Sequence, residues 1–111
     1  PLTEDSRNLI NQDRIAQMKK GAILINAARG PIVDSKALAD ALNSGYLRGA
    51  GVDVFEMEPP LPMDHPLLHS INTIVTPHIA FASDESMEIR AEIVFENIQK
   101  WMNKEQVNII L

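Results

Sequence analysis

Four side chains able to carry chemistry stand at or just past short, mostly apolar runs: Arg29, Asp53 with Glu58 close behind it, and His78. An arginine presents a planar fork that binds a carboxylate through two hydrogen bonds. A histidine takes or returns a proton near neutral pH. A glutamate bonded to the second imidazole nitrogen would orient the ring and favour its protonated form. That set suits a substrate with a carboxylate beside a carbinol or carbonyl, oxidised or reduced with proton transfer. Protein side chains accept no hydride, so the set implies a nicotinamide, and Asp53 would hold the carboxamide of its ring. Taken singly, each residue has an ordinary reading as a surface arginine, turn former, solvated carboxylate or loop histidine. Their joint position argues for a site.

The elements that must position them can be read from pattern. Asn11 is expected to cap a short helix carrying Ile15 and Met18, with Lys19 and Lys20 in its last turn and Gly21 at the left-handed exit. Residues 22–27 then read as a strand buried on both faces, because the run lacks period-two alternation. Asp34 is expected to cap the next helix, with Val33 stapling onto Leu38. Leu38, Ala41 and Leu42 form its stripe, and Gly45 ends it. Residues 49–55 form a second buried strand whose small residues suggest close packing against a helix or a ligand. A proline-rich loop, Glu58-Pro59-Pro60-Leu61-Pro62, leads to a helical turn near Pro66-Leu67-Leu68 and a third strand over residues 73–76.

A long helix over residues 83–103 follows, capped by Ser83, with Asp84 and Glu85 in its first turn. Met87, Ala91, Val94, Phe95, Ile98, Trp101 and Met102 line one apolar face, expected as core or subunit contact. Residues 107–111 read as extended. Strand, helix, strand, loop, strand, helix is an α/β order, and short crossovers imply parallel strands joined right-handedly. The fold class is therefore α/β: half of a doubly wound, Rossmann-like parallel sheet with flanking helices. In such a sheet the carboxyl ends share one edge, where Arg29, Asp53, Glu58 and His78 would converge.

Composition narrows the classes. A chain of 111 residues with net charge −5 is one domain or part of one, and it has no basic, aromatic-interleaved patch for nucleic acid or anionic membrane. No apolar run approaches the roughly 18 residues needed to span a bilayer. Cysteine is absent, which removes disulfides, thiolate catalysis and Cys-based zinc sites and fits a reducing cytoplasm; no metal site is expected. The chain opens on Pro1 rather than Met, so a piece of something longer is expected.

The same residues resemble the D-isomer-specific 2-hydroxyacid dehydrogenases. Met18-Lys19-Lys20-Gly21-Ala22 through Ile25-Asn26-Ala27-Ala28-Arg29-Gly30, then Val33-Asp34, looks like the family's catalytic-arginine segment. Gly49-Ala50-Gly51-Val52-Asp53-Val54-Phe55-Glu56-Met57-Glu58-Pro59 resembles its aspartate and glutamate segment, and Thr76-Pro77-His78-Ile79-Ala80 its histidine segment. The resemblance implies that Arg29 grips the substrate, His78 is the acid–base, Glu58 is its partner and Asp53 faces the nicotinamide. Ala27, Ala28, Arg29, Asp53, His78 and Ala80 would line a pocket for NAD, with NADP an alternative. Phe81 departs from the family, which more often has a small residue there.

No G-x-G-x-x-G turn occurs in the chain. The expectation is a fragment of a larger two-domain enzyme, inactive alone. Residues 1–103 would be the C-terminal portion of the NAD-binding domain, and 104–111 would return toward the substrate domain. A small 2-hydroxy or 2-keto acid is the expected substrate, and a cytoplasmic homodimer the expected state. A nucleotide-sensing, corepressor-like protein on the same fold is the alternative.

Overall fold

The structure is a computed structural model describing residues 2–57 and 60–109. Three strands, β1 (Ile23–Asn26), β2 (Gly49–Val52) and β3 (Thr73–Val75), form one sheet in the order β1-β2-β3. Both pairings are parallel, with Leu24 opposite Ala50 and Val52 opposite Val75. Helices α1 (Gln12–Ala16) and α2 (Ser35–Asn43) precede and follow β1, and the long helix α3 (Asp84–Met102) follows β3. The chain divides into two compact units, Pro1–Ile79 and Ala80–Leu111.

In the first unit the core gathers Leu24, Ala50 and Val52 of the sheet with Ile15, Leu38, Leu42, Leu47 and Leu67. Leu38, Leu42 and Leu47 are fully enclosed, and burial of each such side chain contributes about 1.5–3 kcal/mol. Asp34 caps α2 by accepting the Ala37 N–H at 3.0 Å, and Gly45 takes positive φ at the expected exit; Gly21 is also at positive φ, but in a turn before β1 and beyond the end of α1. The turn Pro66–Leu68 is a 3₁₀ helix.

Several expectations are corrected. β1 is not buried on both faces: Leu24 and Asn26 point inward, while Ile23 and Ile25 are 61 and 77 % exposed. Its apolar residues on both sides hide the alternation, because only one face meets packed side chains. α1 ends at Ala16, so Met18, Lys19 and Lys20 lie beyond it; a turn from Met18 N to Ile15 O takes over. β2 stops at Val52, which puts Asp53 just past the strand instead of inside it. Among its small residues, Ala50 packs into the core with Leu38 and Leu42 of α2, and a Cβ at Gly49 would stand 3.0 Å from the Asn72 carbonyl just before β3.

In the second unit a reciprocal capping box joins Ser83 and Ser86 at the start of α3, and the Ser86 hydroxyl also donates to the Phe81 carbonyl. The Arg90 guanidinium lies over the Phe81 ring at 4.7 Å. No residue of α3 is buried, and the expected apolar face is open, with Phe95 73 % and Trp101 64 % exposed. Val107 and Ile109 belong to no strand, and Asn108 between them turns to φ +54° while donating to the Asn97 side chain at 2.9 Å. The last two residues of the expected extended segment lie outside the described residues.

Candidate active site

Each strand of the sheet runs out toward one of the singled-out side chains. After β1, buried Asn26 shapes the loop that follows. Its Nδ2 donates to the Arg29 carbonyl at 3.1 Å, and its Oδ1 accepts the Ala28 N–H at 3.2 Å. The loop residues Ala27, Ala28 and Arg29 are exposed, and the Arg29 Nη1 donates to the Ala28 carbonyl at 2.6 Å. Gly30 closes the loop against the segment after β2. A Cβ there would fall 1.8 Å from the Phe55 carbonyl carbon, so no other residue fits without moving backbone.

After β2, Asp53 is 5 % exposed, and burying a carboxylate demands hydrogen bonds. Its Oδ1 accepts from the Thr76 hydroxyl at 2.5 Å and from the Ile79 N–H at 2.8 Å. The Asp53 N–H donates to the Asn26 carbonyl at 2.9 Å, so the exits of β1, β2 and β3 are tied in series. After β3, His78 is half-buried and sits at φ +59°, a left-handed conformation that costs of order 1 kcal/mol or more for a residue with a Cβ. Asp53 holds the Thr76 hydroxyl before that turn and the Ile79 N–H after it, which offsets the strain.

The structure thus brings Arg29, Asp53 and His78 to the carboxyl ends of three adjacent parallel strands. Glu58 lies outside the described residues. Ala80 opens the second unit. Phe55, Leu61, Leu68, Val75, Thr76 and Pro77 line an open apolar hollow of about 290 Å³ beside the β3 exit. A groove between α1 and α2, lined by Gln12, Ile15, Asp40 and Tyr46 among others, has a similar size (about 360 Å³) but holds none of the singled-out groups.

Sequence reasoning missed the group next to Glu58. Glu56 accepts from the Ser35 hydroxyl on Oε2 at 2.8 Å, and its Oε1 lies 3.2 Å from Nε2 of the buried His65. The Leu67 N–H donates to His65 Nδ1 at 3.3 Å, which leaves the ring proton on Nε2, directed at Glu56. Partial burial raises the Glu56 carboxyl. Its own backbone N–H, Ser35 and His65 outweigh that and hold it below the usual glutamate range. A histidine directly before Pro66 was the available signal, since such a residue can cap the turn that the proline starts.

An open parallel sheet with a cation, a buried carboxylate and an imidazole at its carboxyl edge is the plan of a nucleotide-binding α/β domain. Residues 1–80 match the family described as D-isomer specific 2-hydroxyacid dehydrogenase, NAD binding domain, and the chain belongs to that family. It is 49 % identical over 98 residues to a glyoxylate reductase of Thermofilum pendens, covering 88 % of this chain and 29 % of that protein. A glyoxylate/hydroxypyruvate reductase B of Serratia proteamaculans is 47 % identical over 98 residues, covering 88 % of this chain and 30 % of its own length. Among solved structures, a D-lactate dehydrogenase with NAD⁺ from Lactobacillus jensenii superposes with TM-score 0.84 at 33 % identity, covering all of this chain and 37 % of that one. The chain therefore spans about a third of the length of these relatives.

Proposed function

We propose that the intact protein transfers a hydride between NAD(P) and a small 2-hydroxy or 2-keto acid. The observation that carries this reading is the convergence of Arg29, Asp53 and His78 at one strand edge in a chain of this family. The residues suit a nicotinamide: exposed Ala27 and Ala28 leave room for a flat ring beside β1, and a buried carboxylate stands at the next strand end. When bound, that ring supplies or receives the hydride. Arg29 grips the substrate carboxylate and polarises the adjoining carbonyl. His78 gives a proton to the carbonyl oxygen in reduction and takes it back in oxidation, with Glu58 orienting the imidazole. Asp53 faces the carboxamide while holding the His78 turn. The relatives described support acid reduction and none supports the sensing alternative.

The isolated 111-residue chain, with no G-x-G-x-x-G turn, turns over no substrate and binds NAD with a Kd weaker than about 1 mM, roughly −4 kcal/mol. Micromolar binding in isothermal titration would overturn that. The open apolar face of α3 suits a second copy, in keeping with a homodimer. The test of the reaction is NADH and NADPH consumption by the intact protein with glyoxylate, hydroxypyruvate, pyruvate and phosphohydroxypyruvate. Turnover of at least one is expected, and none across the panel would reject the proposal.

A further inference from the structure

We propose that Ser35, Glu56 and His65 form a positioning clamp that fixes both ends of the loop bearing Glu58. The proposal rests on the reading of Glu58 as partner to the acid–base His78. Glu56 lies two residues before Glu58, at the entry to the loop, and His65 lies at its exit. The Glu56–His65 hydrogen bond (3.2 Å) joins entry to exit directly, closing the loop on itself. Ser35, the first residue of α2, anchors the other carboxylate oxygen at 2.8 Å.

The clamp is built, not incidental. The His65 side chain is 4 % exposed, stands edge-on to the Phe55 ring at 5.3 Å between centroids, and has both ring nitrogens engaged. Leu67 fixes the tautomer in which Nε2 donates to Glu56. Its order also separates it from a hydrolytic triad. The carboxylate stands between hydroxyl and imidazole, so the imidazole is not placed to take the Ser35 proton. Because Gly30 packs on the Phe55 carbonyl, the clamped segment also backs the Arg29 loop. A proline-rich loop with loose ends would let a carboxylate wander by an ångström, and displacements of that size cost up to about 100-fold in rate.

The test uses the intact protein, with rates expressed per cofactor site titrated by NADH. Glu56→Ala is expected to lower kcat about 10- to 100-fold, leave KM for the keto acid within about twofold, and raise the solvent deuterium isotope effect on kcat as proton transfer becomes limiting. Glu56→Gln keeps an acceptor for His65 and a contact for Ser35, and it should restore most of the rate. His65→Asn keeps a cap for Leu67 but falls short of Glu56, so it should reproduce Glu56→Ala; it decides the matter if Glu56→Ala does not fold. Wild-type kcat and isotope effect in folded Glu56→Ala or His65→Asn would overturn the clamp, as would a Glu56→Gln no better than Glu56→Ala. If His78→Ala itself keeps the wild-type rate, the underlying reading fails and the clamp falls with it. A dead His78→Ala beside an unaffected Glu56→Ala rejects the clamp alone.

Discussion

Arg29 and Glu56 carry distinct consequences at the scale of single residues. The Arg29 guanidinium is exposed and, among the described residues, is held by the neighbouring Ala28 carbonyl, which leaves its fork able to turn to an incoming carboxylate. Lysine keeps the charge and loses the two-point geometry. Arg29→Lys in the intact protein should raise KM for the keto acid by about 10- to 100-fold, the worth of one hydrogen bond to a charged group, and slow kcat as well. An unchanged KM in steady-state assays would argue against carboxylate recognition. Glu56 gives a pH signature. Its carboxyl titrates below the usual glutamate range in the fold, so its contribution is fully present above about pH 4.3 and is lost as pH falls through the depressed value. The group is 41 % exposed, so the contribution is small. Urea unfolding should find Glu56→Gln less stable than wild type at pH 7, with the gap narrowing as pH falls below the usual glutamate range; a gap that does not change with pH would refute the assignment.

Gly30 matters for what it lacks, and its effect belongs to the scale of elements: two strand exits pack backbone to backbone there. Gly30→Ala places a methyl group on the Phe55 carbonyl, so a loss of about 1–3 kcal/mol or more is expected in chemical denaturation, with Arg29 displaced and activity lowered together. Stability and rate both at wild-type level would show that the exits need no such contact. The elements themselves were legible where the cause is local. Asp34 and Ser83 cap α2 and α3, and Gly45 ends its helix at positive φ, because a short polar side chain or a missing Cβ acts within a few residues. The place of Arg29, Asp53 and His78 just past the ends of adjacent strands was legible too, since parallel strands run out at one edge. What stayed hidden is tertiary. The bonds from Asp53 to Thr76 and from Glu56 to His65, and the contact of Gly30 with Phe55, join residues whose pairing no spacing rule encodes. The exposed face of β1 was misread because Ile23 and Ile25 are apolar whether or not anything covers them.

At the scale of the whole molecule, those isoleucines continue across the sheet. Ile23, Ile25 and Ile74 are 61, 77 and 71 % exposed, and β1 and β3 both end the sheet with unpaired edges among the described residues. An apolar face beside open strand edges drives association. The 111-residue chain alone should sediment as dimers or larger species at micromolar concentration and bind a hydrophobic dye. Ile25→Thr should reduce both. A monodisperse monomer without dye binding would mean that the face is covered in solution. The intact protein, at about three times this length in the relatives compared, should do neither through this face.

The imidazole at the end of β3 is the group proposed to move the proton in acid reduction. The most direct test of that role is kcat for His78→Ala in the intact protein, measured against wild type with the best keto acid of the panel and normalised to titrated NADH sites. A fall of about 10²–10⁴-fold with cofactor binding retained is expected. A kcat within twofold of wild type would contradict it.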